Sequence, residues 1–399
     1  MQKKIIALAV AGLVSGAAFA QTNVTIYGVV DLGQAWVKGK ADGNNQDQKT
    51  VGRLDNNSSH IGFKGVEDLG NGLKAVFQIE SGVNPDSTGG NWASRDSFIG
   101  LAGGFGTIAA GTLTHPLRAM GAKVDIMPGW AGFGTTSSVT GRIAGVKTGA
   151  DDRASNAVAY ISPSFGGFTV IGAYVNGEQR DRADLEPNPP GPGGGPDGVL
   201  DDKVNANAWQ IAAQYDNGPL FVGIGYHKTR DSVQTGNAAQ LVAEEMDARV
   251  WRVAAAYTAP FGTKFSALYD NTKVECFTGC YTLSNYGAPL DVKGPDLKRS
   301  AWSVAVAHTF GANTVGLQYG RSGETDISGG PDGDDKATIW SALYTYSLSK
   351  RTMVHARYSR LSNDDGGNFH FYNNQVENGI DAGAGSTYSG FMVGLRHSF

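Results

Sequence analysis

The 399-residue sequence predicts an all-β protein, a 16-stranded antiparallel transmembrane β-barrel with short turns at one end and long loops at the other. Composition is the first reason. Glycine supplies 57 residues and hydrophobic residues only 41%, which is too polar for a bundle of membrane helices. Beyond the N-terminal stretch no run reaches the roughly 18 apolar residues of a spanning helix. The second reason is period: apolar residues alternate with small or polar ones from residue 21 to the end, the signature of half-buried strands. The third is punctuation, because short turns and long polar segments take turns along the chain.

Residues 1–20 stand apart. Lys3 and Lys4, an apolar run over residues 5–14 and the small-x-small site Ala18-Phe19-Ala20 read as a cleaved secretory signal peptide, leaving 21–399 as the barrel domain. Cleavage removes two of the 33 basic residues against 37 acids, taking the net charge from −4 to −6. A mildly acidic chain is no nucleic-acid binder by bulk charge.

In the first strand Val24, Ile26, Val30 and Leu32 alternate with Thr25, Tyr27, Asp31 and Gly33; in the last, Phe391, Val393, Leu395, His397 and Phe399 alternate with Met392, Gly394, Arg396 and Ser398. Short turns rich in Gly, Asn or Pro fall at 69–72, 103–106, 164–167, 217–219, 260–263, 310–313 and 348–350. Longer polar segments separate them at 38–57, 82–94, 113–150, 177–204, 231–246, 275–297, 322–335 and 362–385. Seven hairpins contribute fourteen strands and the terminal segments bring the number to sixteen, the even count of an outer-membrane barrel. Four strands pair Trp with an aromatic or His six residues on: Trp209 with Tyr215, Trp251 with Tyr257, Trp302 with His308, Trp340 with Tyr346. An even spacing keeps both on one face, as a lipid-facing apolar belt edged by aromatics requires. The opposite face carries small residues such as Ala301, Ser303, Ala305, Ala307, Gly316 and Gly320. These cannot fill a barrel of this size, so its interior is a water-filled channel.

The two cysteines, Cys276 and Cys280, are the ends of Cys276-Phe277-Thr278-Gly279-Cys280. In an exported chain so close a pair reads as a small disulfide loop, and a metal site would need further ligands.

The chain resembles the general trimeric porins of Gram-negative bacteria, in the β-proteobacterial branch. The resemblance rests on Val24-Thr25-Ile26-Tyr27-Gly28-Val29-Val30-Asp31, on Ile61-Gly62-Phe63-Lys64-Gly65-Val66-Glu67-Asp68-Leu69-Gly70, and on Leu73-Lys74-Ala75-Val76-Phe77-Gln78-Ile79-Glu80-Ser81-Gly82. Ser97-Phe98-Ile99-Gly100-Leu101, Gly104-Phe105-Gly106-Thr107 and the terminal Val393-Gly394-Leu395-Arg396-His397-Ser398-Phe399 complete it. It implies a homotrimer and a third extracellular loop folded into the pore as a constriction. It also implies that Arg95, Arg153 and Lys64 match basic residues of the constriction. Two places depart from the family pattern: His60 stands where an arginine is common, and Ala109 and Thr112 where basic residues are.

The segment 113–150 carries Arg118, Lys123, Arg142 and Lys147 against the single acid Asp125. A basic loop inside a narrow pore concentrates positive potential and attracts anions. Arg118, Lys123, Asp125 and His60 therefore join Arg95, Arg153 and Lys64 as the expected constriction. Alternation also turns Arg252, His355, Arg357, Arg396, Asp31, Lys74 and Glu80 inward as lumen wall. His60 would gain charge as pH falls through roughly 7 to 5.5, raising anion preference.

Residues 178–203 and Pro331-Asp332-Gly333-Asp334-Asp335 are acidic external stretches, read as solvated loops; bridging Ca²⁺ or Mg²⁺ to lipid phosphate is their other reading. No nucleophile elbow, zinc-binding helix or phosphate loop occurs, so neither catalysis nor a cofactor is expected. The reading is a passive outer-membrane pore for ions and small hydrophilic solutes, weakly to moderately anion-preferring, with lipid and lipopolysaccharide around it. A channel specific for small anions, whose flux would saturate, and a surface-binding or adhesion barrel, whose binding would reside in its loops, are the alternatives.

Overall fold

A computed structural model describes residues 24–42, 47–87, 92–130, 132–143, 146–177, 207–230, 234–235, 242–243, 245–278, 295–371 and 382–399. The predicted signal peptide, the acidic stretch 178–203, Cys280 and the side chain of Cys276 lie outside the described residues.

The strands are β1 Thr25–Lys40, β2 Gln48–Asn56, β3 His60–Gly70, β4 Leu73–Gly82, β5 Ser97–Gly103, β6 Gly106–Thr114, β7 Arg142–Ile143, β8 Val146–Lys147, β9 Arg153–Ile161, β10 Phe168–Val175 and β11 Asn207–Asn217. They continue as β12 Leu220–Arg230, β13 Gln234–Thr235, β14 Val242–Ala243, β15 Glu245–Thr258, β16 Thr263–Thr278, β17 Leu297–Phe310, β18 Asn313–Ser322, β19 Asp326–Ile327, β20 Ala337–Ser347, β21 Thr352–Asn363 and β22 Thr387–Ser398. Among the described residues one α-helix, α1, covers Pro116–Val124. Eighteen strands form one sheet. β2 and β3 both pair with β1 as two halves of a single span, and the two-residue β19 only extends the edge of β17. Sixteen spans remain. β22 pairs with β1 over Val29↔Ser398 to Lys40↔Thr387 and closes the barrel, so no sheet edge is left for lipid to solvate.

The outward face follows the predicted parity. Trp209, Trp251, Trp302 and Trp340 are 39–41% exposed, one common environment at one height. Each touches a tyrosine of the next span: Trp209–Tyr226 at 5.2 Å between centroids, Trp251–Tyr269 at 5.1 Å, Trp302–Tyr319 at 5.4 Å and Trp340–Tyr358 at 5.1 Å. Trp36 stacks on Phe391 at 6.0 Å and carries the belt across the closure. Such pairs add about 0.5–1.5 kcal/mol each beyond their buried area.

The inner face is less uniform than its small residues suggest. Ala35, Val37, Ala337, Ile339, Leu361, Tyr388 and Met392 all point inward and are buried. What covers them are loop residues, Phe133 and Val139 from one loop and Phe369, Phe371 and Ala382 from another. The eighth loop, expected as an external polar segment, therefore folds its aromatic Phe369 and Phe371 into the barrel.

Candidate functional site

Loop 3 leaves β6 at Thr114 and rejoins the wall at Arg153. It opens with His115 and Pro116, whose fixed φ suits the first turn of a helix. Leu117, Met120, Gly121 and Val124 are buried along α1, the i, i+3, i+4, i+7 stripe of a helix laid on a surface. That surface is the inner wall of β11, β12, β15 and β16. It accepts the helix because it is carved out there: a Cβ at Gly225 would stand 2.7 Å from Leu117, and one at Gly223 would stand 3.1 Å from Met120. Further on, a Cβ at Gly316 would meet Ile126 at 2.8 Å, at Gly320 Val139 at 3.0 Å, and at Gly390 Phe133 at 3.0 Å. Inward glycines expected only to leave room for water leave room for loop 3.

Arg252 on β15, expected as open lumen wall, is fully buried beneath the loop. Its guanidinium donates to the Leu117 carbonyl at 2.9 Å, to both Asp151 oxygens at 2.5 and 2.9 Å, and to Asp270 at 2.8 Å. Asp270 in turn accepts from the Gly141 N–H at 2.9 Å. One side chain thus ties the start, middle and end of loop 3 to the wall. Burial alone would raise the Asp151 carboxyl, but Arg252 holds it below the ordinary carboxylate range.

A second anchor is polar and neutral. The Leu117 N–H donates to Gln210 Oε1 at 3.2 Å, which turns the Gln210 amide nitrogen toward His227 Nδ1 at 2.7 Å. His227 Nε2 then donates to the Thr148 carbonyl at 3.2 Å. Each donor faces an acceptor only while His227 is neutral. His115, 5.5 Å from the His227 ring, donates from Nδ1 to the Gly149 carbonyl at 2.8 Å. Burial, outweighing Gly149, Asp152 and Asp151, holds His115 below its ordinary value of 6.5. The unfolded loop then binds the proton more readily, so the anchorage is intact above about 6.5 and weakens as pH falls below it. Open-channel noise and amide exchange in 115–152 are expected to rise between pH 6.5 and 5, with His227→Gln blunting the change; identical profiles at both pH values would exclude this anchor.

Two expectations are corrected. Asp125 pairs with neither Arg118 nor Lys123 and does not line the ion path. It is buried and accepts from the Met127 N–H at 2.8 Å, the Thr136 N–H at 2.7 Å and the Thr136 hydroxyl at 2.9 Å, bracing the loop's turn from inside. Burial pushes its carboxyl up. Lys123 leaves the constriction as well, pairing with Asp216 at the short-turn end of β11 and lying 4.6 Å over the Phe221 ring.

The remaining cations converge. Arg118 donates to the Asp151 carbonyl and lies 4.7 Å over Trp130. Burial and the charge of Arg153 push it down to about 10, with Arg95 adding to the same effect. Arg153 pairs with Asp96 at 3.0 Å, and Arg95 pairs with Glu80. Tyr27 donates to Glu80 at 2.8 Å, and Lys64 Nζ stands 5.0 Å over the Tyr27 ring. His60 is fixed by its Nδ1 on the Ser58 carbonyl at 2.8 Å, with Nε2 4.0 Å from Glu80. The cluster sits between loop 3 and the β1–β9 wall.

Asp31, His355, Arg357 and Arg396 all face inward but form a separate, covered group. Asp31 accepts from His355 at 2.9 Å, Arg396 at 2.9 Å and Asn57 at 3.1 Å, bracing the break between β2 and β3, while Arg357 sits under the loop tip beside Gly132. Lys74 lies inward near the short-turn end, opposite Asp68 and Ala102. In the later acidic stretch Asp335 is used locally, accepting from the Thr325 N–H at 2.7 Å and its hydroxyl at 2.6 Å. Among the described residues no three His, Cys, Asp or Glu converge as a metal site.

A Gram-negative porin family model matches residues 7–366. The chain belongs to that family. It is 30% identical over 410 residues to outer membrane porin protein 32 of Delftia acidovorans, spanning the whole of both chains. An outer membrane porin protein of Bordetella pertussis is 32% identical over 432 residues, again over the whole of both. Among solved structures, an anion-selective porin from Comamonas acidovorans superposes with a TM-score of 0.70 at 24% identity, covering 95% of this chain and 100% of that one. A trimer form of a Vibrio cholerae outer membrane protein gives 0.64 at 14% identity, covering 95% and 99%. The porin is an outer-membrane channel through which solutes pass by diffusion, and loop 3 lies inside its barrel.

Proposed function

We propose that this porin is a general diffusion channel with a preference for anions, set by Arg95, Arg118 and Arg153 with Lys64 and His60. The observation that carries the reading is the convergence of these cations from β3, the β4–β5 connection, α1 and β9, with Glu80, Asp96 and, beside Arg118, Asp152 as the acids among them. Four permanent positive charges stand against Glu80, Asp96 and Asp152, with Asp151 taken up by Arg252, which leaves the site electropositive, and its low-dielectric walls strengthen the field on a passing ion. Conductance measured against chloride, phosphate and dicarboxylate concentration is expected to rise in proportion; saturation by one anion would favour the substrate-specific channel instead.

His60 stands within this cluster beside Glu80. His60→Ala is expected to remove any rise in anion preference between roughly pH 7 and 5.5, read as reversal potential. A wild-type value that is flat over the interval would mean that the imidazole stays neutral there.

A homotrimer fits the outward surface. The spans β3, β4, β5 and β6 carry no tryptophan or tyrosine and present Ile79, Ile99, Leu101 and Ile108 outward, the belt resuming at Tyr174 on β10, directly opposite Trp209. A wall without Trp or Tyr at headgroup level suits contact with another copy of the chain. Residues of this wall are expected to crosslink between copies when changed to cysteine, whereas Ile224 and Leu317 on the belted wall are not.

A further inference from the structure

Tyr27 on β1, Gly62 on β3 and Glu80 on β4 stand in one register row across three adjacent strands, all on the inner face. The tyrosine lies across the glycine: a Cβ at Gly62 would stand 2.5 Å from Tyr27 Cζ and 2.6 Å from its hydroxyl oxygen. Because Gly62 has no side chain, the phenol reaches over β3 and donates to Glu80 Oε2 at 2.8 Å. A glycine inside a strand weakens it, and the backbone ladder already joins these three strands without the bridge. The reach therefore serves the side chains of the pore.

Glu80 is buried, and its two oxygens are used by different partners, Oε1 by Arg95 and Oε2 by Tyr27. Two further members of the cluster are placed to compete for Oε2. His60 Nε2 is 4.0 Å from it. Lys64 stands one inward position along β3 from Gly62, directly opposite the neutral Thr25 and Gln78, and is therefore a diagonal neighbour of Glu80. Diagonal neighbours on paired antiparallel strands lie within reach of long side chains. Lys64 nevertheless makes no ion pair among the described residues; its ammonium stands 5.0 Å over the Tyr27 ring, a cation–π contact that leaves its charge in place. Tyr27 thus presents its ring to Lys64 and its hydroxyl to Glu80, and keeps the two apart.

We infer that Tyr27 is a positioning residue for ion selectivity: its hydroxyl satisfies Glu80 in place and so leaves Lys64 as an unpaired charge for passing anions. The inference rests on the anion preference proposed above and names the residue that preserves it. Without the hydroxyl, Glu80 Oε2 loses its donor in a buried position where an unmet carboxylate oxygen is costly. At pH 8, above the range in which an ordinary histidine is charged, the cation at hand to replace it is Lys64. An ammonium drawn onto Glu80 is withdrawn from the ion path.

The test is the chloride-over-potassium permeability ratio of single channels of the refolded mature porin in a planar bilayer at pH 8. Tyr27→Phe keeps the ring and removes only the hydroxyl; it is expected to lower the ratio about twofold with single-channel conductance unchanged. In a Glu80→Gln background, where no carboxylate is left to draw Lys64 over, the same substitution is expected to change nothing. Lys64→Gln alone is expected to lower the ratio by about the same factor as Tyr27→Phe. A Tyr27→Phe channel as anion-preferring as the wild type would overturn the inference, as would an equal fall in the Glu80→Gln background. No fall in Lys64→Gln would overturn it without use of any change at Tyr27. The sign of the wild-type potential tests the proposed pore function separately, because the fall from wild type to Tyr27→Phe is read as a ratio of ratios whichever ion the wild type prefers.

Discussion

Changing Arg95, Arg118 and Arg153 together to glutamine is expected to lower the chloride-over-potassium permeability ratio about tenfold while leaving conductance within about twofold. Two unit charges 4 Å apart in bulk water interact by about 1 kcal/mol, and somewhat more near protein walls. Removing three charges from one side of a narrow site, two of them partly offset by Glu80 and Asp96, leaves about 1.4 kcal/mol, which is tenfold. The reversal potential should move toward zero or change sign, because the acids remain. Arg53→Gln is the control, since that guanidinium is held by Asp55 at 2.5 Å and lies apart from the cluster. A triple variant as anion-preferring as the wild type would place the ion path elsewhere.

The second large effect is expected at Arg252. Arg252→Met leaves Asp151 and Asp270 buried without the guanidinium that hydrogen-bonds them both, and breaking a buried pair in this way costs about 3–5 kcal/mol, less whatever Arg118, Arg142 and Arg299 nearby make up. The closed hydrogen-bonded barrel does not depend on that residue, so the loss falls on loop 3. Single-channel records should show larger and noisier conductance, and protease should cut within 115–152 without collapse of the barrel. Arg252→Lys is not expected to rescue, because one ammonium cannot reach the Leu117 carbonyl and both carboxylates at once. Adding Asp151→Asn and Asp270→Asn to Arg252→Met should restore part of the quiet state by removing the stranded charges. A quiet channel of normal size in Arg252→Met would show that the apolar seats at Gly223, Gly225 and Gly390 suffice to hold the loop.

Strand number and the orientation of the belt were legible because both depend on local period. A strand that meets lipid on one side and water on the other must alternate, and Trp209, Trp251, Trp302 and Trp340 report height as well as face. The inward direction of Arg252, His355, Arg357 and Arg396 was legible for the same reason. What covers them was not. Whether an inward residue meets water or a loop depends on the path of loop 3, and that path is decided by contacts far apart in sequence. Asp125 illustrates the difficulty: alone in a basic loop it read as a charge on the ion path, yet its partners are Thr136, eleven residues on, and Gln318 on a distant strand. Glycine was ambiguous in the same way, since an inward Gly316 leaves room equally for water or for Ile126. The inward turn of the eighth loop did leave a trace, the aromatic Phe369, His370 and Phe371 within a polar stretch, which a solvated loop has no need of.

The decisive measurement is the reversal potential of single channels of the refolded mature porin in a planar bilayer under a tenfold KCl gradient. If Arg95, Arg118 and Arg153 set the field at the constriction, the potential has the sign of chloride flow, and its magnitude falls as ionic strength rises and screens the cluster. A cation-favouring potential, or one unchanged by salt, would contradict that arrangement and assign the controlling charges to Glu80 and Asp96.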